Sequence, residues 1–188
     1  MKTHRLFFAL WPTDQIRRSV IETFSQLALN NKGRIIQPRN LHVTLHFIGS
    51  VTEDVKDCMQ MAAQTVRSDP FEYYLDQFGS FRRAKILWMG CQKVSVELTQ
   101  LHNKLAVALE RCGYQSENRV FTPHLTLMRK YHGPLSNQMA KQSADQVDFS
   151  IPWFVNEFVL VESHTDQQGV IYRVIEKYPL SCDKSEVP

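Results

Sequence analysis

The sequence predicts an α+β fold with antiparallel sheets, and three observations carry that prediction. Helical and extended patterns do not alternate strictly, several extended segments are joined by short turns, and each half of the chain places an apolar His-x-Thr strand after a helix. A chain of 188 residues suits one domain, residues 1–188, large enough to bury a core without a metal or disulfide staple. The repeated order suggests an internal duplication.

The elements follow in order. Leu6 to Trp11 is a short apolar run that ends at Pro12, too short for a membrane span or a signal-peptide core, and reads as a first strand. Ile16, Val20, Phe24 and Leu27 recur at helical spacing behind Thr13 or Asp14, either of which can cap the first free amides. Asn30 to Asn40 is polar, contains Gly33 and Pro38, and reads as a loop before the strand LHVTLHFI. Thr52 is expected to cap a second helix with the stripe Val55, Met59, Ala62 and Val66, ended by Ser68-Asp69-Pro70.

FEYYLDQFG from Phe71 and KILWMG from Lys85 read as two strands joined by the basic turn Phe81 to Lys85. Leu98, Leu101, Leu105 and Leu109 line one side of a third helix, and Gly113 follows its end, where positive φ is usual. The second His-Thr strand comes next. Gly133 to Ser150 reads mostly as loop. The last strands are WFVNEFVLVES from Trp153 and GVIYRVIEKYPL from Gly169, with a turn over His164 to Gln168.

Twenty-two Lys and Arg against nineteen Asp and Glu give a net charge of +3, too weak a bias to identify a nucleic-acid binder. Cys58, Cys91, Cys112 and Cys182 show no regular spacing, which predicts free thiols in a reducing compartment and hence a cytoplasmic protein. No H-E-x-x-H, zinc-type Cys/His spacing, phosphate-binding P-loop or G-x-G-x-x-G occurs, so no metal and no cofactor is expected. With no long exposed apolar stripe evident, a monomer is expected.

The chemistry lies in NLHVTLHFIG (residues 40–49) and FTPHLTLMR (residues 121–129). Side chains alternate along a strand, so His42 and Thr44 share one face, as do His124 and Thr126, above leucine and valine on the other. A lone His-x-Thr is ordinarily a solvated polar pair. Two copies, each in an apolar strand where an unpartnered imidazole is costly, argue for a shared cleft.

Two imidazoles flanking a phosphoester can accept a proton from water and donate one to the leaving oxygen, while the hydroxyls bind the non-bridging oxygens. Arg129 is the candidate cation for the growing negative charge. Strict alternation places Arg129 on the leucine face, so a bulge or strand end near Met128 is required. His46 is expected to be structural or at the rim, and His4, His102, His132 and His164 to be solvated. Phe81, Arg82, Arg83 and Lys85 form either a candidate RNA contact or a solvated hairpin tip, whereas Trp88 and Tyr172 are candidate stacking residues that read chiefly as core.

With both motifs in order, together with RLFFAL, ILWMG and FVLVES, the sequence resembles the 2H phosphoesterase superfamily, most closely its RNA 2′,3′-cyclic phosphodiesterases, also called 2′-5′ RNA ligases. The resemblance implies a bilobal, pseudo-twofold fold with the motifs facing one groove. It also implies hydrolysis of a 2′,3′-cyclic phosphate on RNA or a nucleotide to a 2′-phosphate, without metal, and reversible 2′-5′ joining of RNA halves. His42, Thr44, His124 and Thr126 carry over as catalytic and Arg129 as substrate-binding, with His124 the base and His42 the acid. His46 departs from the small or apolar residue of relatives. The competing reading is a non-catalytic module that holds an RNA end or a nucleotide.

Overall fold

The structure is a computed structural model that describes residues 3–27, 33–116, 120–133, 149–166 and 169–181. Its strands are β1 (His4–Leu10), β2 (Arg34–Ile35), β3 (Val43–Val51), β4 (Phe71–Leu75), β5 (Gln77–Phe81), β6 (Ile86–Gly90), β7 (His124–Arg129), β8 (Ile151–Val155), β9 (Glu157–Asp166) and β10 (Gly169–Pro179). The helices are α1 (Asp14–Ser25), α2 (Glu53–Gln64) and α3 (Val96–Glu110), and Pro38–Asn40 forms a single 3₁₀ turn.

One antiparallel sheet runs β10-β9-β1-β3-β7-β6-β5, with β2 paired to β7, while β4 and β8 form a separate two-stranded sheet. The junction at its centre is thin. β1 and β3 share seven register pairs, whereas β3 and β7 share only Val43↔Leu125. The strands therefore diverge on either side of that pair and split the sheet into a β1 half and a β7 half.

Alternation sets the two faces. Leu6, Phe8 and Leu10 join the main core, while Phe7 and Ala9 turn to the opposite face and pack with Val159, Val161, Trp11 and Tyr172. The predicted α3 stripe Leu98, Leu101, Leu105 and Leu109 is fully buried, each side chain stabilising the fold by about 1.5–3 kcal/mol. Thr13 caps α1 by accepting from the Ile16 amide, and Gly113 has φ +83° after α3.

Several expectations change. FEYYLDQFG divides into β4 and β5, and Asp76 at the break donates its amide to Gly90 O and accepts from the Gln92 amide. β4 then leaves the main sheet for β8. WFVNEFVLVES divides likewise at Asn156, whose carbonyl accepts from Leu180. The loop before the first motif contains β2, held against Met128 and Arg129.

Thr52 occupies the cap position of α2 but makes no side-chain capping bond. The free-thiol expectation also fails for two cysteines: Cys58 on α2 is bonded to Cys112 after α3, while Cys91 is free and buried. The pair is 54 residues apart in sequence, and only the packing of the two helices brings it together. Cys182 and residues 134–148 of the predicted loop lie outside the described residues.

Candidate active site

The single Val43↔Leu125 pair organises the site. Antiparallel register through it sets His42 opposite Thr126 and Thr44 opposite His124, and opposed residues share a face. The leucine and valine partners Val43, Leu45, Leu125 and Leu127 are buried in the main core. Two His-Thr pairs thus stand on the groove face about a local twofold. All four side chains are partly exposed.

Each strand also fixes its imidazole in the same way. His42 Nδ1 lies 2.7 Å from Asn40 O and His124 Nδ1 lies 2.8 Å from Thr122 O. Because a carbonyl only accepts, Nδ1 carries the proton in both neutral rings, and Nε2 is the nitrogen that could accept a further one. Phe7, Trp11 and Tyr172 surround His42, with ring centroids at 4.8, 5.8 and 5.2 Å. Phe81 and Trp88 flank His124 at 4.9 and 6.1 Å.

Burial pushes the His42 pKa down to about 4; its bond to Asn40 opposes the shift, while His124, Arg129 and Arg17 add to it. The charges of His124 and Arg129 are therefore felt at His42, across the groove. The bulge that Arg129 requires is present: Leu87 pairs with Met128 and Trp88 with Thr126, which leaves Leu127 as the extra residue. Leu127 and Met128 are both buried and Arg129 emerges on the groove face.

β3 has the same bulge at Leu45, between Phe8↔His46 and Ala9↔Thr44. His46 thereby takes the place of Met128 and is buried, its Nδ1 near Tyr114 Oη (3.0 Å) and its Nε2 near His102 O (2.8 Å). Phe47 takes the place of Arg129 and lies exposed beneath the Arg5 guanidinium.

A cavity of ≈ 530 Å³ opens on the Thr44–His124 side, lined also by Phe47, Phe81, Arg83 and Phe121. Its size and aromatic walls suit a nucleobase. The basic turn thus contributes Phe81 and Arg83 to the cavity lining, and Arg82, Arg83 and Lys85 are all exposed. No group of three or more His, Cys, Asp or Glu suited to a metal ion occurs among the described residues.

Trp88 and Tyr172, read mainly as core, border the imidazoles. Phe7 and Trp11 carry no motif that marks them, although both sit in the apolar run at the start of the chain; only pairing of β1 with β3 puts them over His42. The solvated reading fails for His4, which is buried between Glu53 and Glu162. It fails for His102 as well, stacked on Phe121 at 3.9 Å. His132 is exposed as expected, and His164 is an exposed partner of Glu162.

Known proteins resemble this chain in sequence and fold. The family described as the 2′-5′ RNA ligase superfamily matches residues 12–167. An RNA 2′,3′-cyclic phosphodiesterase of Escherichia coli (strain K12) is 34% identical over 177 residues, covering 94% of this chain and 97% of the relative. One from Aquifex aeolicus (strain VF5) is 26% identical, with 96% and 99% covered. The crystal structure of E. coli LigT complexed with 3′-AMP superposes with a TM-score of 0.85 at 28% identity, covering 96% of this chain and all of that one. The matched segment includes both His-Thr strands and the bulge that turns Arg129 into the groove, and this chain belongs to the 2′-5′ RNA ligase superfamily.

Proposed function

We propose that this chain hydrolyses the 2′,3′-cyclic phosphate of an RNA or nucleotide end to a 2′-phosphate, with the two imidazoles as acid and base and no metal or cofactor, and that it reversibly joins RNA ends through a 2′-5′ linkage when a 5′-hydroxyl attacks the phosphorus in place of water. The observation that carries this reading is the register that sets both His-Thr pairs on one face, each ring with its proton held on Nδ1. Two imidazoles, two hydroxyls and one guanidinium supply each proton and charge that phosphoester cleavage needs.

In the forward reaction His124 Nε2 accepts a proton from water as its oxygen bonds to phosphorus. The P–O3′ bond breaks, and His42 Nε2 gives a proton to O3′. Thr44 and Thr126 donate to the non-bridging oxygens, and Arg129 offsets the charge that grows on them. Burial keeps His42 neutral in the empty site. The negative phosphate must therefore raise its pKa before it can serve as acid.

Both motifs lie in one chain, so a monomer suffices. The location we propose, the cytoplasm, rests on the RNA substrate alone, because the Cys58–Cys112 disulfide removes the free-thiol argument; thiol counting on protein from freshly lysed cells tests that placement. No helix among the described residues is long and apolar enough to cross a membrane. The test of the activity is incubation of an RNA bearing a 2′,3′-cyclic phosphate with purified protein and EDTA. A 2′-phosphate end is expected. A bound but unaltered RNA would mean a holding module, and loss of turnover with chelator would mean a metal enzyme.

A further inference from the structure

We infer that a second anion site beside Trp11 binds the phosphodiester that joins the terminal nucleotide to the rest of an RNA strand. This rests on the phosphodiesterase reading and extends it from a cyclic phosphate to a polynucleotide substrate.

A second cavity, ≈ 450 Å³, is lined by Trp11, Asp14, Arg17, Arg18, Arg39 and neighbouring apolar residues. Three guanidiniums there face one carboxylate. Asp14 takes a single hydrogen bond, from Arg17 Nη1 at 2.9 Å, and no ion pair among the described residues holds Arg18 or Arg39. Arg17 Nε and Nη2 are buried and have no acceptor among the described residues. A buried N–H without an acceptor is costly, and a phosphate oxygen is the acceptor that three convergent arginines favour.

One side chain links the lining of this cavity to His42. Trp11 stacks on His42, with ring centroids 5.8 Å apart and planes 21° from parallel. The same indole carries the Arg17 guanidinium 5.4 Å from its centroid. A phosphate held here is thus one residue away from the reacting one. The apolar cavity on the Thr44–His124 side leaves room for the terminal base on the other flank. A cationic pocket beside an aromatic platform is the combination that binds a single strand by its backbone.

The test uses 2′,3′-cyclic AMP, the same nucleotide with a 5′-phosphate, and the dinucleotide ApA ending in a 2′,3′-cyclic phosphate. Kd by calorimetry and kcat/KM are measured for the wild type and the double variant Arg18→Gln/Arg39→Gln. Both arginines are exposed, so the fold should tolerate the change; Arg17 is left alone because it packs on Trp11.

The expected result is that a 5′-phosphate improves binding about tenfold in the wild type and that this ratio collapses in the variant. The dependence of log Kd on log salt should flatten by about 0.7 for each phosphate that the variant no longer neutralises. A wild-type ratio near one, or a ratio that survives in the variant, overturns the proposal. So does a gain for ApA without one for the 5′-phosphate, which would assign the pocket to a base. If no compound is hydrolysed, the phosphodiesterase reading falls, and the Kd ratios still decide the anion site.

Discussion

The two His-Thr strands have the same backbone and different surroundings. Each places histidine and threonine two residues apart on the groove face, bonds Nδ1 to the carbonyl two residues before, and bulges at the leucine after the threonine. The neighbours then differ. Leu10 pairs with Val43, so Trp11 comes next to His42, whereas Met89 pairs with Leu125 and Gly90 with His124. A large indole covers one imidazole; no side chain covers the other from that position. After the bulge, one strand continues His46-Phe47 and the other Met128-Arg129. Two strands of the same local geometry can therefore present two imidazoles in the same way, while side chains outside the motif make their surroundings unequal, as the proposed attack and departure would require.

Removing either carrier tests the comparison most severely. His42→Ala and His124→Ala should each lower kcat on cyclic-phosphate RNA by about 10²–10⁴-fold with little loss of affinity, and the double variant should cost far less than the product of the two. A p-nitrophenyl phosphodiester separates the roles, because its leaving group departs without a proton. His42→Ala should be largely rescued on that substrate and His124→Ala should not. The opposite pattern would reverse the assignment.

The next effect concerns the unequal cation. Arg129→Ala should reduce kcat by about 10²–10³-fold, as loss of a donor to developing charge does in other sites. Phe47→Arg in that background places a guanidinium at the related position of the other strand. Recovery of turnover would show that either half can supply the charge; no recovery would tie it to one flank.

The smallest effect is on stability and sharpens the contrast between His46 and Met128. Burial holds both His42 and His46 near pKa 4, below the ordinary 6.5, so the unfolded chain binds more protons between these values. Their contribution is present above pH ~6.5 and is lost as pH falls toward ~4, so Tm should drop across that window. His46→Met should cost about 1 kcal/mol at pH 7 by removing the hydrogen bonds of the imidazole to the Tyr114 hydroxyl and the His102 carbonyl. It should also make the decline of Tm between pH 6.5 and 4 shallower. An unchanged slope would mean that His46 does not titrate with unfolding.

Local pattern revealed the helices because each needs only its own spacing and caps, as the four buried leucines of α3 illustrate. It revealed the His-Thr pairs for the same reason. The breaks at Asp76 and Asn156 were not legible, since each depends on a hydrogen bond to a residue far along the chain. Arg129 was an intermediate case. Alternation alone gave it the wrong face, and the need for a bulge followed from the chemistry before the register located it at Leu127.

What this sequence determined by itself was its class of elements and the side chains able to move protons, because strand periodicity and residue chemistry act over a few neighbouring positions. Only the tertiary structure decided that Trp11, Phe7 and Tyr172 enclose one imidazole, that Cys58 meets Cys112, and that three arginines converge beside the groove. Those juxtapositions depend on strand register and helix packing between distant segments, and burial, which sets the pKa of His42, exists only once those segments close around it.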